Sequence, residues 1–141
     1  MKNIFLDTNI IIDFLANRKP FSDAASQIFS KAESGKIKLY ISAISYNNIF
    51  YLLKKSISRN DSIRLLLELM DLTEVVEINT SIIRKSLVSE FIDFEDAIQY
   101  NCALSLEFID FIITRDINGF NKSIIPVISP EESLIIINNN D

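Results

Sequence analysis

Histidine is absent from this 141-residue chain. That removes Ser-His-Asp and Cys-His nucleophilic catalysis, and every HExxH zinc site, at once. Two glycines, Gly35 and Gly119, are too few for a P-loop or a GxGxxG dinucleotide turn. The single cysteine, Cys102, excludes a disulfide framework and a cysteine-based zinc site. No stretch reaches about 18 consecutive apolar residues, so no membrane-spanning helix is expected. Basic residues are in deficit, with 14 Lys and Arg against 19 Asp and Glu and a net charge of −5 at pH 7. Taken by itself, that balance argues against a nucleic-acid partner, because phosphate binding normally leaves a basic footprint. Any chemistry must come from carboxylates, hydroxyls, amides, Lys, Arg or Tyr.

What is present is material for one core. Hydrophobic residues make up 48% of the chain and aromatics 10%, so length and composition predict a single domain over residues 1–137. The polar, Asn-rich end at 138–141 reads as a frayed tail. The start, MKNIFLDTNIIIDFLANRKP, has a Lys and an apolar run, but Asp7, Asn9 and Asp13 interrupt it and no small-residue cleavage site follows. A cytoplasmic location is the expectation.

Strands and helices alternate along the chain. Short apolar runs at 3–6, 38–41, 73–77, 108–114 and 126–128 read as strands, FIDFIIT at 108–114 being the strongest. Helical spacing occupies 22–34, with Gly35 as its stop, then 43–57, and a segment capped by Asn60 or Asp61 that runs to 70. Further helices are predicted over 80–88, 93–106 and 130–136, and Asn9 reads as the N-cap of a first helix reaching 17. Strands separated by helices imply a mostly parallel sheet with helices on its faces. Such sheets place their chemistry just beyond the C-terminal ends of the strands.

That rule turns a list of acids into a geometric expectation. Asp7 follows the first strand, Asp116 follows FIIT, and Asp96 lies in the first turn of the helix preceding that strand. Doubly wound, the sheet would bring all three into one cleft. Carboxylates driven together repel unless a hard cation neutralises them, and oxygen-only ligands select Mg²⁺ or Mn²⁺ over zinc. Metal-assisted phosphoester hydrolysis is the chemistry that follows. Each acid also has a purely structural reading. Asp93 and Asp96 fit an N-cap and an N3 acid, Asp7 an Asx-turn, and Asp116 the turn before Asn118-Gly119. Glu95 is either a fourth acid of the cleft or a solvated first-turn residue, and Asp13 reads as solvated or salt-bridged.

LDTN at 6–9, SAISYNNIFYLL at 42–53, FEDAIQ at 94–99 and TRDINGF at 114–120 resemble, in order and spacing, the four motif regions of PIN domains. The resemblance is strongest to the VapC-like toxin ribonucleases of type II toxin–antitoxin pairs and covers essentially the whole chain. It implies a three-layer α/β/α sandwich with a mostly parallel sheet of about four to five strands. It also implies Mg²⁺- or Mn²⁺-dependent hydrolysis of RNA, a cognate antitoxin and a homodimer. By resemblance Asp7, Asp96 and Asp116 occupy the metal positions, and Thr8, Asn9 and Thr114 are polar supports. Arg115, Lys54 and Lys55 are candidate contacts to substrate phosphate, although a partnerless surface Arg and a solvated helix end are the plain alternatives.

Two positions depart from the family pattern. The helix that normally supplies a fourth acid has Asn48, with Asn47 beside it, so metal affinity should fall unless Glu95 supplies the charge. The last motif has Gly119 where an acid is common. These departures motivate a second expectation, a degenerate PIN domain that binds RNA or protein without cutting. A phosphatase-like hydrolase with Asp7 as nucleophile is a poor fit, because Asn9 stands where a second Asp is needed. Setting aside Asp7, Asp13, Glu95, Asp96 and Asp116 leaves 14 acids against 14 bases. The acidity thus concentrates near one cleft and forms no general barrier to RNA.

Overall fold

The computed structural model describes residues 1–139. Among them five parallel strands form one sheet in the order β3-β2-β1-β4-β5, built from β1 (Lys2–Leu6), β2 (Ile37–Ser42), β3 (Glu74–Val76), β4 (Phe111–Ile113) and β5 (Val127–Ile128). The first strand sits in the middle, and the chain winds outward from it in both directions. β1 and β4 are therefore neighbours, with Leu6 beside Ile113. Their C-terminal ends flank the topological switch point, where doubly wound sheets open a crevice.

Alternation along each strand builds two cores. Ile4 and Leu6 of β1, Ile37, Leu39 and Ile41 of β2, and Phe111 and Ile113 of β4 face one side. There they meet α1 (Thr8–Leu15), α2 (Ser22–Glu33), α3 (Ala43–Leu53), α4 (Arg59–Leu72) and α7 (Pro130–Asn139). Phe5, Tyr40 and Ile112 face the other side, against α5 (Thr80–Leu87), α6 (Phe94–Leu106) and Phe120 of the 3-10 turn Ile117–Phe120. Burial on both faces is why these strands read as continuous apolar runs. Each fully buried Ile, Leu or Phe contributes about 1.5–3 kcal/mol of transfer free energy. The result is the expected α/β/α sandwich.

Several boundaries move, each for a local reason. The N-cap of α1 is Asp7, two residues before Asn9, which lies inside the helix. Ser58 caps α4 by accepting from the Asp61 backbone N–H at 3.0 Å, ahead of the expected Asn60 or Asp61. The strand expected over 108–114 shrinks to three residues. Glu107 ends α6 in the left-handed region (φ 64°), and the Asp110 carboxylate is occupied by the Asn3 backbone N–H at 2.7 Å. Helix α3 stops at Leu53 and does not reach 57, while α7 continues through Asn139. The frayed tail expected over 138–141 thus begins within a helix, and residues 140 and 141 lie outside the described residues. Gly35 does stop α2, in the left-handed region at φ +79°. Among the described residues no helix is long and apolar enough to cross a membrane.

Candidate active site

Asp7 leaves β1 at its C-terminal end and is 5% exposed. It holds the N-cap position of α1, yet its side chain caps nothing. The carboxylate is spent elsewhere: Oδ1 accepts from Gln99 Nε2 at 2.9 Å and Oδ2 from the Thr114 hydroxyl at 2.7 Å. Thr114, fully buried after β4, also accepts from the Asp116 backbone N–H at 2.9 Å. One hydroxyl thus ties the ends of the two central strands together. Burial raises the pKa of Asp7, partly offset by the Thr114 and Gln99 hydrogen bonds, and nearby Asp116 raises it further.

Asp93 caps α6 by accepting from the Asp96 backbone N–H at 2.9 Å, as its capping reading requires. Asp96 is half-buried in the first turn, and its pKa is pushed up to about 7 by desolvation and then by Asp7, Asp93, Asp116 and Glu95. Asp116 caps the 3-10 turn through the Gly119 backbone N–H at 3.2 Å. Asp7, Asp96 and Asp116, with Thr8, Asn9 and Glu95, line one hollow of about 290 Å³ at the switch point. Among the described residues no three acidic side chains are gathered tightly enough to hold a metal ion.

The donor set suits a hard divalent cation. It is oxygen-only, and burial, with the neighbouring carboxylates adding to it, raises the Asp96 pKa to about 7, so its carboxyl is about half protonated at neutral pH. The buried Asn9 Oδ1 has no hydrogen-bond partner within the described residues, so this oxygen is available as a further ligand in the cleft. Asn48, where the resemblance led to the expectation of an acid, donates through Nδ2 to Glu95 Oε2. Thr8, whose hydroxyl lies 2.7 Å from Ser45 Oγ, donates to the same oxygen at 3.1 Å. The amide thus helps to orient Glu95, which also lines the cleft, so that a carboxylate from α6 stands beside the neutral Asn48.

Gly119 has an equally local explanation. A Cβ at this position would stand 2.7 Å from Asp116 Oδ2 and 2.9 Å from Asp96 Oδ2. The two carboxylates occupy the space that an acidic side chain would need. Gly119→Ala is therefore expected to force them apart and weaken divalent-cation binding in the cleft by about tenfold or more. Because both neighbours are side-chain ends, stability should change by no more than about 1 kcal/mol. Titration with Mn²⁺ beside a thermal melt checks the two halves.

The basic residues do not all join the site. Arg115, expected at a substrate phosphate, instead grips Asp13, with Nε 2.6 Å from Oδ2 and Nη2 3.1 Å from Oδ1. Its guanidinium also covers the Phe21 ring at 3.9 Å. The cation lining the cleft is Arg18, which sequence reasoning missed. Lys54 and Lys55 lie over Tyr51, at 5.8 and 4.6 Å from its ring centre. Gln99 and Ser45 were missed as well. A wholly buried Gln inside the apolar run AIQYNCAL was the available signal, since such an amide must be hydrogen-bonded.

These features define a class: a doubly wound α/β protein with a carboxylate cleft at the C-terminal edge of its central strands. Residues 3–118 match the family model described as PIN domain. The chain belongs to the PIN domain family. Its fold is VapC-like, shared with solved toxin–antitoxin complexes. It is 26% identical to a chain of a toxin–antitoxin complex from Klebsiella pneumoniae, at TM-score 0.66, over 90% of this chain and 97% of that one. It is 23% identical to a chain of VapBC-1 from nontypeable Haemophilus influenzae, at TM-score 0.67, covering 92% and 98%. A chain of DNA-bound VapBC from Salmonella typhimurium is 19% identical at TM-score 0.68, covering 92% and 99%. A comparison with curated protein sequences finds no significant match.

Proposed function

We propose that this chain is a Mg²⁺- or Mn²⁺-dependent endoribonuclease, the cytoplasmic toxin of a toxin–antitoxin pair. The observation carrying this reading is the cleft itself: Asp7, Asp96 and Asp116 line one hollow at the switch point, where burial and then the neighbouring carboxylates raise the Asp96 pKa to about 7. Asp7, Asp96 and Asp116 would hold the cation, with Asn9 and Glu95 beside them. When bound, it supplies Lewis-acid stabilisation of phosphate charge and a lowered pKa for water.

The chain's own residues do the rest. Gln99 and Thr114 hold both oxygens of Asp7 in place, which preorganises the cleft before substrate arrives. Asp96 would complete the cation's shell or, alternatively, accept a proton from water at the phosphodiester. Arg18 offers the cleft a cation for phosphate. An antitoxin segment fits the hollow of about 340 Å³ lined by Leu15, Leu52, Leu53, Ile57 and Leu65. Ile83, Leu87, Val88 and Ile92 are exposed on and after α5, a face suited to a second copy of the chain.

Purified protein should cleave RNA with Mg²⁺ or Mn²⁺ and stop when EDTA is added, and Asp7→Asn should be slower by about 10² or more. Cleavage that is absent, or identical in Asp7→Asn, sinks the proposal. A second reading, an RNA-binding module without turnover, is favoured by the neutral Asn48 and the loose spacing of the acids. Calorimetry separates the two. No divalent-metal binding together with retained RNA binding selects the second.

A further inference from the structure

We propose that the hollow between α3 and the start of α6 seats one unpaired base of the RNA, stacked on Tyr51 and Phe94, next to the phosphodiester that is cut. This rests on the ribonuclease reading above. The hollow is an open surface depression of about 430 Å³ lined by Ile44, Asn48, Tyr51, Leu52, Phe94 and Glu95. Two aromatic side chains left in solvent are the first indication. Tyr51 is 56% exposed and Phe94 45%, whereas Phe5, Phe29 and Phe120 are fully buried. Aromatic faces offered to solvent beside a nuclease cleft suit bases, because every base has a π-face to stack.

Position supplies the second argument. Leu52 and Glu95 are walls of both this hollow and the carboxylate cleft, so the two adjoin. A base seated here keeps its own sugar-phosphate within reach of Asp7, Asp96 and Asp116. Charge supplies the third. Lys54 and Lys55 crowd the Tyr51 ring, and among the described residues neither forms an ion pair. Two cations beside an apolar slot match the polarity of a nucleotide, apolar base and anionic phosphate. Asn48 already gives its Nδ2 to Glu95, leaving its carbonyl as an acceptor for a base edge. Bases paired inside an A-form duplex cannot reach such a slot, so the substrate is single-stranded at this step.

The test is binding of a fluorescent single-stranded RNA of about eight nucleotides, with Ca²⁺ replacing Mg²⁺, compared with a duplex of the same sequence. Tyr51→Ala and Phe94→Ala should each weaken single-strand binding by about 5- to 100-fold, leave the weaker duplex binding alone, and melt within a few degrees of wild type. Tyr51→Phe should restore the affinity. An abasic step in the RNA should cost the wild type a similar factor and cost Tyr51→Ala little more. Unchanged affinity in both alanine variants overturns the proposal. So does a wild-type dimer in sedimentation that the variants convert to monomer with affinity per chain intact, since the face would then join two copies. Failure of the nuclease reading looks different: metal-dependent cleavage is missing while the stacking-dependent binding persists.

Discussion

Asp96→Asn is expected to lower RNA cleavage by about 10³ and, in the same protein without metal, to raise the melting temperature. The first effect follows from removing a charged oxygen from the cleft, a transition-state loss of roughly 4 kcal/mol. The second follows from relieving a charge that is both desolvated and repelled. Desolvation and then the carboxylates of Asp7, Asp93, Asp116 and Glu95 raise the Asp96 pKa from 3.8 to about 7. In the folded state Asp96 therefore holds a proton that the unfolded chain has released. Metal-free stability is unaffected by this group below about pH 4, falls as pH rises through about 4 to 7, and stays low above that window. The half-exposed setting of Asp96 screens the interaction, so the penalty relieved by Asn is discounted to about 1–2 kcal/mol at pH 8. That corresponds to roughly 3–8 °C in Tm for a chain of this size. The difference between wild type and variant should vanish at pH 4 and grow toward pH 8. Added Mn²⁺ should raise the wild-type Tm and leave Asp96→Asn nearly unmoved. Calorimetric melts at three pH values, with and without metal, decide it. A variant that melts lower than wild type at pH 8 would contradict the crowding account.

Arg115→Ala should be the most destabilising single change outside the apolar core, by about 3 kcal/mol or more. Asp13 is only 1% exposed, and its two oxygens are answered by the Arg115 fork at 2.6 and 3.1 Å. Removing the guanidinium strands a buried carboxylate and strips the Phe21 ring of its cover. At this length the loss amounts to roughly 10 °C in Tm. Arg115→Lys should recover little, since an ammonium cannot make the paired contact. Asp13→Asn placed in the Arg115→Ala background should recover part of the loss, because no charge is then left stranded. Additive single and double effects in that cycle would show that the pair is not coupled. Because Arg115 adjoins Asp116, the pair also anchors the loop that carries a cleft carboxylate.

The contrast between these two residues shows how far a linear reading reaches. Asp96 was legible because it lies at a helix start whose following strand is strongly apolar, and doubly wound sheets gather such positions at one edge. Arg115 was not. Its motif placed it beside a cleft acid, and only the approach of α1 brought Asp13, 102 residues away in sequence, under its guanidinium. Gln99 was missed for the same reason. Its amide matters only because α6 crosses the end of β1 and puts Nε2 on Asp7, 92 residues away.

Local chemistry along the chain determined much of this protein. Strand and helix alternation, the strand-end positions of Asp7 and Asp116, the Asp93 cap and the stop at Gly35 all depend on neighbours within a few residues. The absences of histidine, glycine-rich turns and paired cysteines narrowed the chemistry to oxygen ligands before any fold was drawn. Tertiary structure decided which charges are spent and which are free. Ion pairs and relays between distant segments have no periodic signature, and their partners are chosen by packing. Packing committed Arg115 to Asp13, turned Asn48 into a support for Glu95, and filled the space above Gly119 with two carboxylates. It also left Arg18 lining the cleft and Tyr51 and Phe94 exposed beside it.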